Sequence, residues 1–136
     1  MRPIRIINGQ LITPSRVLPG ATILLTGGKI SAISEGDIAA PPEALTIDAA
    51  GKYIAPGFID IHVHGGGGHD FMDGTDEAFL AIARLHARHG TTSMTPTTMS
   101  CDAEDLRRIL EVYEGVGGQG VGGPGAGFIG MHLEGP

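Results

Sequence analysis

The second half of the sequence alternates between strand-like runs and segments with helical spacing, and this alternation constrains the fold more than any other feature. The run GFIDIHVHG, residues 57–65, is rich in β-branched side chains, and TTSMTPTTM begins at Thr91. Residues 75–89 repeat apolar side chains at helical spacing, and a second helical segment follows TTSMTPTTM. A third strand-like run, GFIGMHLEGP, covers residues 127–136. This order predicts an α/β fold with a parallel sheet and right-handed crossovers.

Glycine and polar residues mark the expected ends of the two helices. Gly90 follows the first helical segment, where a C-terminal glycine is favoured. The second helix has apolar residues on one face between positions 106 and 113. Ser100 or Asp102 is expected to cap its N-terminus, because both side chains accept hydrogen bonds from free helix amides.

The first fifty residues predict a separate small β domain. Apolar runs surround Asn8-Gly9 and Gly27-Gly28, and both dipeptides are typical of hairpin turns. Isoleucine and leucine side chains on both sides of the second turn suit a small sheet with one buried face. We therefore predict a β domain over residues 1–54 and an α/β domain over residues 55–136.

Two histidines at the end of the first α/β strand carry the strongest chemical signal. An alternating strand places Asp60, His62 and His64 on one face, where imidazoles need polar partners. In parallel sheets, functional sites form at the carboxyl ends of strands. One metal ion can satisfy both histidines, and neutral imidazole suits zinc, iron, nickel or manganese. The alternative is a pair of structural histidines hydrogen-bonded in a polar core.

The third strand repeats this arrangement with a carboxylate. Glu134 lies at the carboxyl end of that strand, two residues after His132. We expect His62, His64 and Glu134 to converge on a divalent metal ion with an open position for water, which is the outline of a hydrolytic site. His132 should lie a layer deeper, so we interpret it as a substrate contact or a support for the ligands.

Other polar residues carry weaker signals. His69 and Asp70 follow the first strand at the functional end of the sheet, where they are candidate substrate contacts. The hydroxyls of Thr95–Thr98 are candidates for lining a pocket, although threonine is also a good strand former. His86 is interpreted as solvated or packed on a helix surface. Cys101 is the single cysteine and is assigned no function.

Two glycine-rich segments invite a phosphate-binding interpretation that the sequence does not favour. Eight of the thirteen residues in 115–127 are glycine. This segment follows a helix and precedes a strand, whereas phosphate cradles lie between a strand and the next helix. We interpret it as a flexible linker. The Gly65–Gly68 loop lacks the lysine and Ser/Thr that accompany a nucleotide cradle.

Composition excludes several classes of protein. The 136 residues are 41% hydrophobic and carry a formal charge of -6, so a disordered chain is not expected. Only nine Lys and Arg are present and none are clustered, which argues against nucleic acid as a partner. No apolar run has the length of a membrane span or the form of a signal peptide, so no membrane association and a cytoplasmic location are expected.

The motifs resemble those of a known enzyme family. PGFIDIHVHG after a small β domain resembles the entry to the barrel of the amidohydrolase superfamily. TTSMTPTTM and GMHLEGP are similar to the motifs of N-acetylglucosamine-6-phosphate deacetylases. The resemblance implies the first three strands of a metal-dependent-hydrolase TIM barrel, hence an incomplete one, preceded by a partial β-sandwich. It also implies that Glu134 is a metal ligand, that one or two divalent ions bind (Zn, Fe, Mn, Ni or Co), and that the full-length protein is a homodimer.

The resemblance implies a specific reaction. N-acetylglucosamine 6-phosphate, an amino-sugar phosphate, would be hydrolysed to glucosamine 6-phosphate and acetate. The family's acid/base aspartate and two further histidine ligands are expected beyond Pro136, so this N-terminal fragment is expected to be inactive alone. One alternative is another amidohydrolase, such as a dihydroorotase or an acyl-amino-acid deacylase, which commonly places lysine or another group where Glu134 would lie. A non-catalytic metal-binding module is the alternative of a different class.

Overall fold

The chain divides into two compact units, Met1–Pro56 and Gly57–Pro136. The computed structural model describes residues 1–117 and 125–135. Much of the predicted linker over 115–127 therefore lies outside the described residues. The first unit contains five strands: β1 (Ile4–Ile12), β2 (Val17–Thr26), β3 (Lys29–Ser34), β4 (Leu45–Asp48) and β5 (Tyr53–Ile54).

The second unit contains the α/β pattern. Its strands are β6 (Phe58–Val63), β7 (Gly65–Gly66), β8 (His69–Asp70), β9 (Thr91–Thr98), β10 (Gly127–Phe128) and β11 (His132–Leu133). Its helices are α1 (Asp76–Arg88) and α2 (Ala103–Gly117), and a short 3-10 turn covers Phe71–Asp73. Within the described residues, neither helix is long and apolar enough to cross a lipid bilayer.

The first unit is one sheet of five strands in the order β3-β2-β1-β4, with β5 also beside β1. The strands β1, β2 and β3 are antiparallel neighbours, whereas β4 and β5 run parallel to β1. The turn between β2 and β3 was predicted correctly. Gly27 and Gly28 have φ angles of 60° and 77°. Both central residues of a type I′ hairpin turn need such positive φ angles.

The hairpin predicted at Asn8-Gly9 is wrong, because β1 continues through both residues. Asn8 alone adopts a positive φ, 58°, and the register with β2 shifts between Ile6 and Gly9. Asn8 Nδ2 donates to Asp48 Oδ1 at 3.1 Å, and Gly51 N donates to Asn8 O at 2.8 Å. A single left-handed residue held by the β4–β5 connection bends the strand as a bulge instead of reversing it.

One face of this sheet is apolar but only partly buried. Pairing places Ile23 opposite Ile33 and Leu25 opposite Ile30, so these side chains share a face. Ile23 is 4% exposed, whereas Ile30 is 61% exposed. The predicted buried face therefore exists only on the inner strands, and apolar residues of the first unit line an open groove of about 310 Å³ beside it.

The second unit is built on the parallel sheet that the sequence predicts. The strand β9 lies in the centre, with β6 on one side and β10 and β11 on the other, and every pairing is parallel. The predicted continuous third strand is instead two short pieces. Phe128 pairs with Met94 and His132 pairs with Thr97. Between these two pairs, the third-strand segment has one residue more than β9. The extra residue breaks the ladder between the two pieces.

The first α/β strand, β6, is not buried on both faces, as parallel strands usually are. Val63 is 9% exposed, but Ile59 and Ile61 are 64% and 67% exposed. Within the described residues, β6 pairs only with β9 and forms the edge of the sheet. Its exposed aliphatic side chains therefore lack a packing layer in the part of the chain that the structure describes.

The core of the second unit lies between the helices and β9. Its side chains with no exposure include Phe71, Phe79, Ile82, Met94 and Ile109. The rings of Phe71 and Phe79 pack edge to face with centroids 4.7 Å apart. Burial of each such side chain stabilises the fold by roughly 1.5–3 kcal/mol. This packing holds α1 and α2 against β9, which pairs with both β6 and β11.

The helix ends follow the capping rules. Gly90 follows α1 with a φ of 96°, in the left-handed region that glycine favours. Asp102 caps α2, since its Oδ1 accepts from the amides of Glu104 and Asp105 at 3.0 and 2.9 Å. Ser100, the other candidate, instead donates its hydroxyl to Gly135 O at 2.6 Å.

Replacing Asp102 with alanine is expected to lower the free energy of unfolding of the second unit by about 1 kcal/mol, because two helix amides lose their acceptor. Asparagine at this position keeps an acceptor oxygen and should retain most of the stability. Urea denaturation followed by helical circular dichroism measures both variants. Equal stability of Asp102→Ala and the parent chain would show that the cap contributes nothing.

Candidate metal centre

Three side chains that the sequence predicts to meet do converge at the carboxyl ends of the strands. His62 lies in β6, His64 directly follows it, and Glu134 directly follows β11. The Nε2 atoms of His62 and His64 are 3.3 Å apart, and His64 Nε2 is 3.2 Å from Glu134 Oε2. One ligand atom from each of the three residues lies within 4.8 Å of the others.

The 3.3 and 3.2 Å separations suit ligands of one ion. Two ligand atoms about 2.0–2.1 Å from a zinc ion at a tetrahedral angle lie about 3.3 Å from each other. His62 and Glu134 are exposed and His64 is half-buried, so the cluster is open to solvent. Two imidazoles and a carboxylate are also a donor set found in catalytic zinc sites, where a further position is open to water or substrate.

A local irregularity of β6 lies beside these ligands. Asp60 pairs with Met94 and Val63 pairs with Pro96, so β6 has one residue more than β9 between these two pairs. The extra residue falls in the stretch that contains His62. Asp60 Oδ1 accepts a hydrogen bond from His62 N at 3.1 Å. This carboxylate, which an alternating strand would place beside the histidines, thus holds the backbone of the bulge.

Hydrogen bonds also hold the backbone around His64. Its carbonyl accepts from Phe71 N at 2.9 Å, and the carbonyl of Gly65 lies 3.2 Å from His86 Nε2. His86 is half-buried and packs on the glycine loop, and a Cβ at Gly66 would lie 3.2 Å from the same Nε2. The sequence pattern predicted only a solvated or surface-packed His86. The glycines facing it in the loop were the signal for close packing.

The three candidate substrate contacts lie in different surroundings. The ring of His132 is exposed and its centroid lies 4.5 Å from that of His62, next to the three converging residues. His69 lies in β8, with its Nδ1 3.8 Å from Asp73 Oδ2, and does not belong to the cluster. Asp70 caps the 3-10 turn by accepting from Met72 N at 2.8 Å. Contact of His69 and His132 with substrate stays a prediction.

Comparison with known proteins gives a consistent set of relatives. No protein-family model matches the chain. N-acetylglucosamine-6-phosphate deacetylase of Mus musculus is 37% identical over 93 residues, which is 65% of this chain and 22% of the mouse protein. The enzyme of the same name from Bacillus subtilis (strain 168) is 30% identical over 127 residues, 93% of this chain and 32% of that protein. The crystal structure of the Pasteurella multocida enzyme aligns with a TM-score of 0.84 at 28% identity, covering 98% of this chain and 34% of that chain.

These relatives identify the chain as an amidohydrolase-superfamily sequence. Within that superfamily it is a partial match of the N-acetylglucosamine-6-phosphate deacetylases, and it spans about a quarter to a third of their length. The resemblance noted from the motifs around His62, His64 and Glu134 is thereby confirmed.

Proposed function

We propose that this chain contributes to the metal-dependent hydrolysis of the acetamide of N-acetylglucosamine 6-phosphate, which releases glucosamine 6-phosphate and acetate. The observation that carries the proposal is the convergence of His62, His64 and Glu134 within 4.8 Å at the carboxyl ends of two parallel strands. Relatives of that name across mammals and bacteria support the substrate. In proteins built on such strands, this end of the sheet is where catalysis occurs.

The donor set fits a divalent ion such as Zn, Fe, Mn, Ni or Co. His62 and His64 would offer imidazole Nε2 atoms and Glu134 a carboxylate oxygen. A bound ion supplies Lewis acidity toward the amide carbonyl and toward water. The three side chains fix the ligand positions, and Asp60 holds the amide of His62. His132, beside His62, and His69 are proposed to contact substrate. His62 and His64 together could hold one ion or take part in a site with two ions.

We also propose a larger architecture for the two units, an oligomeric state and a location. We propose that residues 55–136 form the first three strands of a (β/α)8 barrel and that residues 1–54 form part of a β-sandwich. The parallel β6-β9-β11 sheet with its crossover helices supports the first assignment. The apolar face of the first unit, half exposed, supports the second. A homodimer in the cytoplasm is proposed from the family resemblance alone.

A chimaera tests the function. Residues 1–135 of this chain replace the matching third of the Bacillus subtilis relative, and acetate release from N-acetylglucosamine 6-phosphate is measured with zinc or manganese present. We expect acetate release, its loss in Glu134→Gln, and its retention in Glu114→Gln, which changes an exposed glutamate on α2. A folded, metal-loaded chimaera that opens dihydroorotate or another cyclic amide, but releases no acetate, would contradict the proposed substrate.

A further inference from the structure

The β6–β9 ladder is interrupted beside the two histidines. Between the Asp60–Met94 and Val63–Pro96 pairs, β6 has one residue more than β9. Pro96 has no N–H, so it cannot donate a ladder hydrogen bond there. Bulges leave backbone groups unpaired and redirect nearby side chains. Some other group must therefore hold the strand where it presents His62 and His64.

The hydroxyl of Thr97 occupies that gap. Val63 N donates to Thr97 Oγ1 at 3.0 Å, and the same hydroxyl donates to the carbonyl of Thr95 at 3.3 Å. Thr97 has no solvent exposure. The side chain thus replaces a direct backbone hydrogen bond between the strands. Without it, a buried amide in the bulge would have no partner, which proteins rarely tolerate.

Thr97 also borders the strand that leads to the third ligand. It pairs with His132 in β11, two residues before Glu134. Its hydroxyl holds Val63, which lies between His62 and His64 in sequence. One buried residue is therefore linked by hydrogen bonding or strand pairing to both segments that supply the converging side chains.

We propose that Thr97 is a positioning residue for the metal centre. Its hydroxyl fixes the bulged backbone at Val63 and thereby sets the separation of His62 Nε2 and His64 Nε2. This inference rests on the proposed metal-binding function. Thr97 is not one of the three converging residues, so in this proposal it acts through its hydrogen bond to the backbone of β6.

Three variants of the 136-residue chain separate positioning from general strand stability. Thr97→Val keeps the shape and removes the hydroxyl, whereas Thr97→Ser keeps the hydroxyl. Thr95→Val is the matched control, because the buried Thr95 hydroxyl has no hydrogen-bond partner among the described residues. Amide hydrogen exchange at Val63 reports the hydrogen bond without metal. Titration with Co²⁺, followed by visible absorption, reports the dissociation constant of the site.

We expect Thr97→Val to speed exchange of the Val63 amide and to weaken Co²⁺ binding by about 10-fold, the scale of losing a group that orients a ligand. Thr97→Ser and Thr95→Val should stay within about twofold of the parent chain, well under the 1.4 kcal/mol of a tenfold change. If Thr97→Val does not fold, Thr97→Ala is measured against Thr97→Ser in the same way.

Two results would overturn the inference. Faster Val63 exchange with unchanged Co²⁺ affinity would mean that Thr97 only holds the strands together. Failure of the parent chain itself to bind Co²⁺ would refute a metal centre held by His62, His64 and Glu134 alone, and the positioning role with it. The parent and variant titrations therefore separate the two failures.

Discussion

Replacing Glu134 with glutamine is expected to weaken zinc binding by about 100-fold or more, because loss of a group that merely orients a ligand already costs about 10–100-fold. Glutamine keeps the size of the side chain but removes the negative charge. The Oε2 atom of Glu134 lies 3.2 Å from His64 Nε2, so it is placed to share an ion with that histidine. Competition with a chromophoric chelator measures the dissociation constant.

Glu114→Gln provides the control for this measurement. It makes the same chemical change at an exposed position on α2, outside the converging cluster. Zinc affinity should not change in this variant. If Glu134→Gln binds zinc as tightly as Glu114→Gln, the ion is held elsewhere and the proposed centre is wrong.

Replacing Phe79 with alanine is expected to lower the free energy of unfolding of the second unit by about 3–5 kcal/mol, the usual cost of truncating a buried aromatic side chain. Phe79 has no solvent exposure and packs edge to face on Phe71 and Phe128, with centroids 4.7 and 5.8 Å away. Its loss leaves a cavity between α1 and β9. Urea denaturation followed by helical circular dichroism reports this unit, because both described helices belong to it.

Phe58→Ala is the matched control for the core variant. Phe58 belongs to the same unit and is 68% exposed. Its truncation should change stability by no more than about 0.5 kcal/mol, as for most surface substitutions. Similar losses in the two variants would show that Phe79 does not occupy the centre of the core.

The candidate site could be predicted from the sequence because local pattern and a topological rule were sufficient. Strand periodicity aligned His62 with His64, and the alternation of strands and helices implied a parallel sheet. Sites in such sheets form at the carboxyl ends of strands, which brought Glu134 to the same place. Neither strand periodicity nor this rule depends on which residues pair across the sheet.

The strand registers could not be predicted, because they depend on partners distant in sequence. Asn8-Gly9 and Gly27-Gly28 look alike as dipeptides, yet only the second is a hairpin turn. The difference arises from Asp48 and Gly51, which hold Asn8 from about forty residues away. Local turn preference is outweighed by these long-range hydrogen bonds.

The bulges in the strands of the second unit also depend on partners distant in sequence and could not be predicted. The bulge in β6 is bridged by the side chain of Thr97, 34 positions beyond Val63. Sequence reasoning considered the hydroxyls of this threonine-rich strand as pocket groups or as strand formers. Only the pairing with Pro96 shows that one hydroxyl takes the place of a missing backbone hydrogen bond.

The coordination shell of zinc bound to this chain tests the central claim most directly. X-ray absorption at the zinc edge should show nitrogen and oxygen ligands at about 2.0–2.2 Å, with the outer-shell scattering of two imidazoles from His62 and His64. A sulfur ligand at about 2.3 Å, which only Cys101 or a methionine could supply, would contradict the account. So would a zinc shell without imidazole scattering.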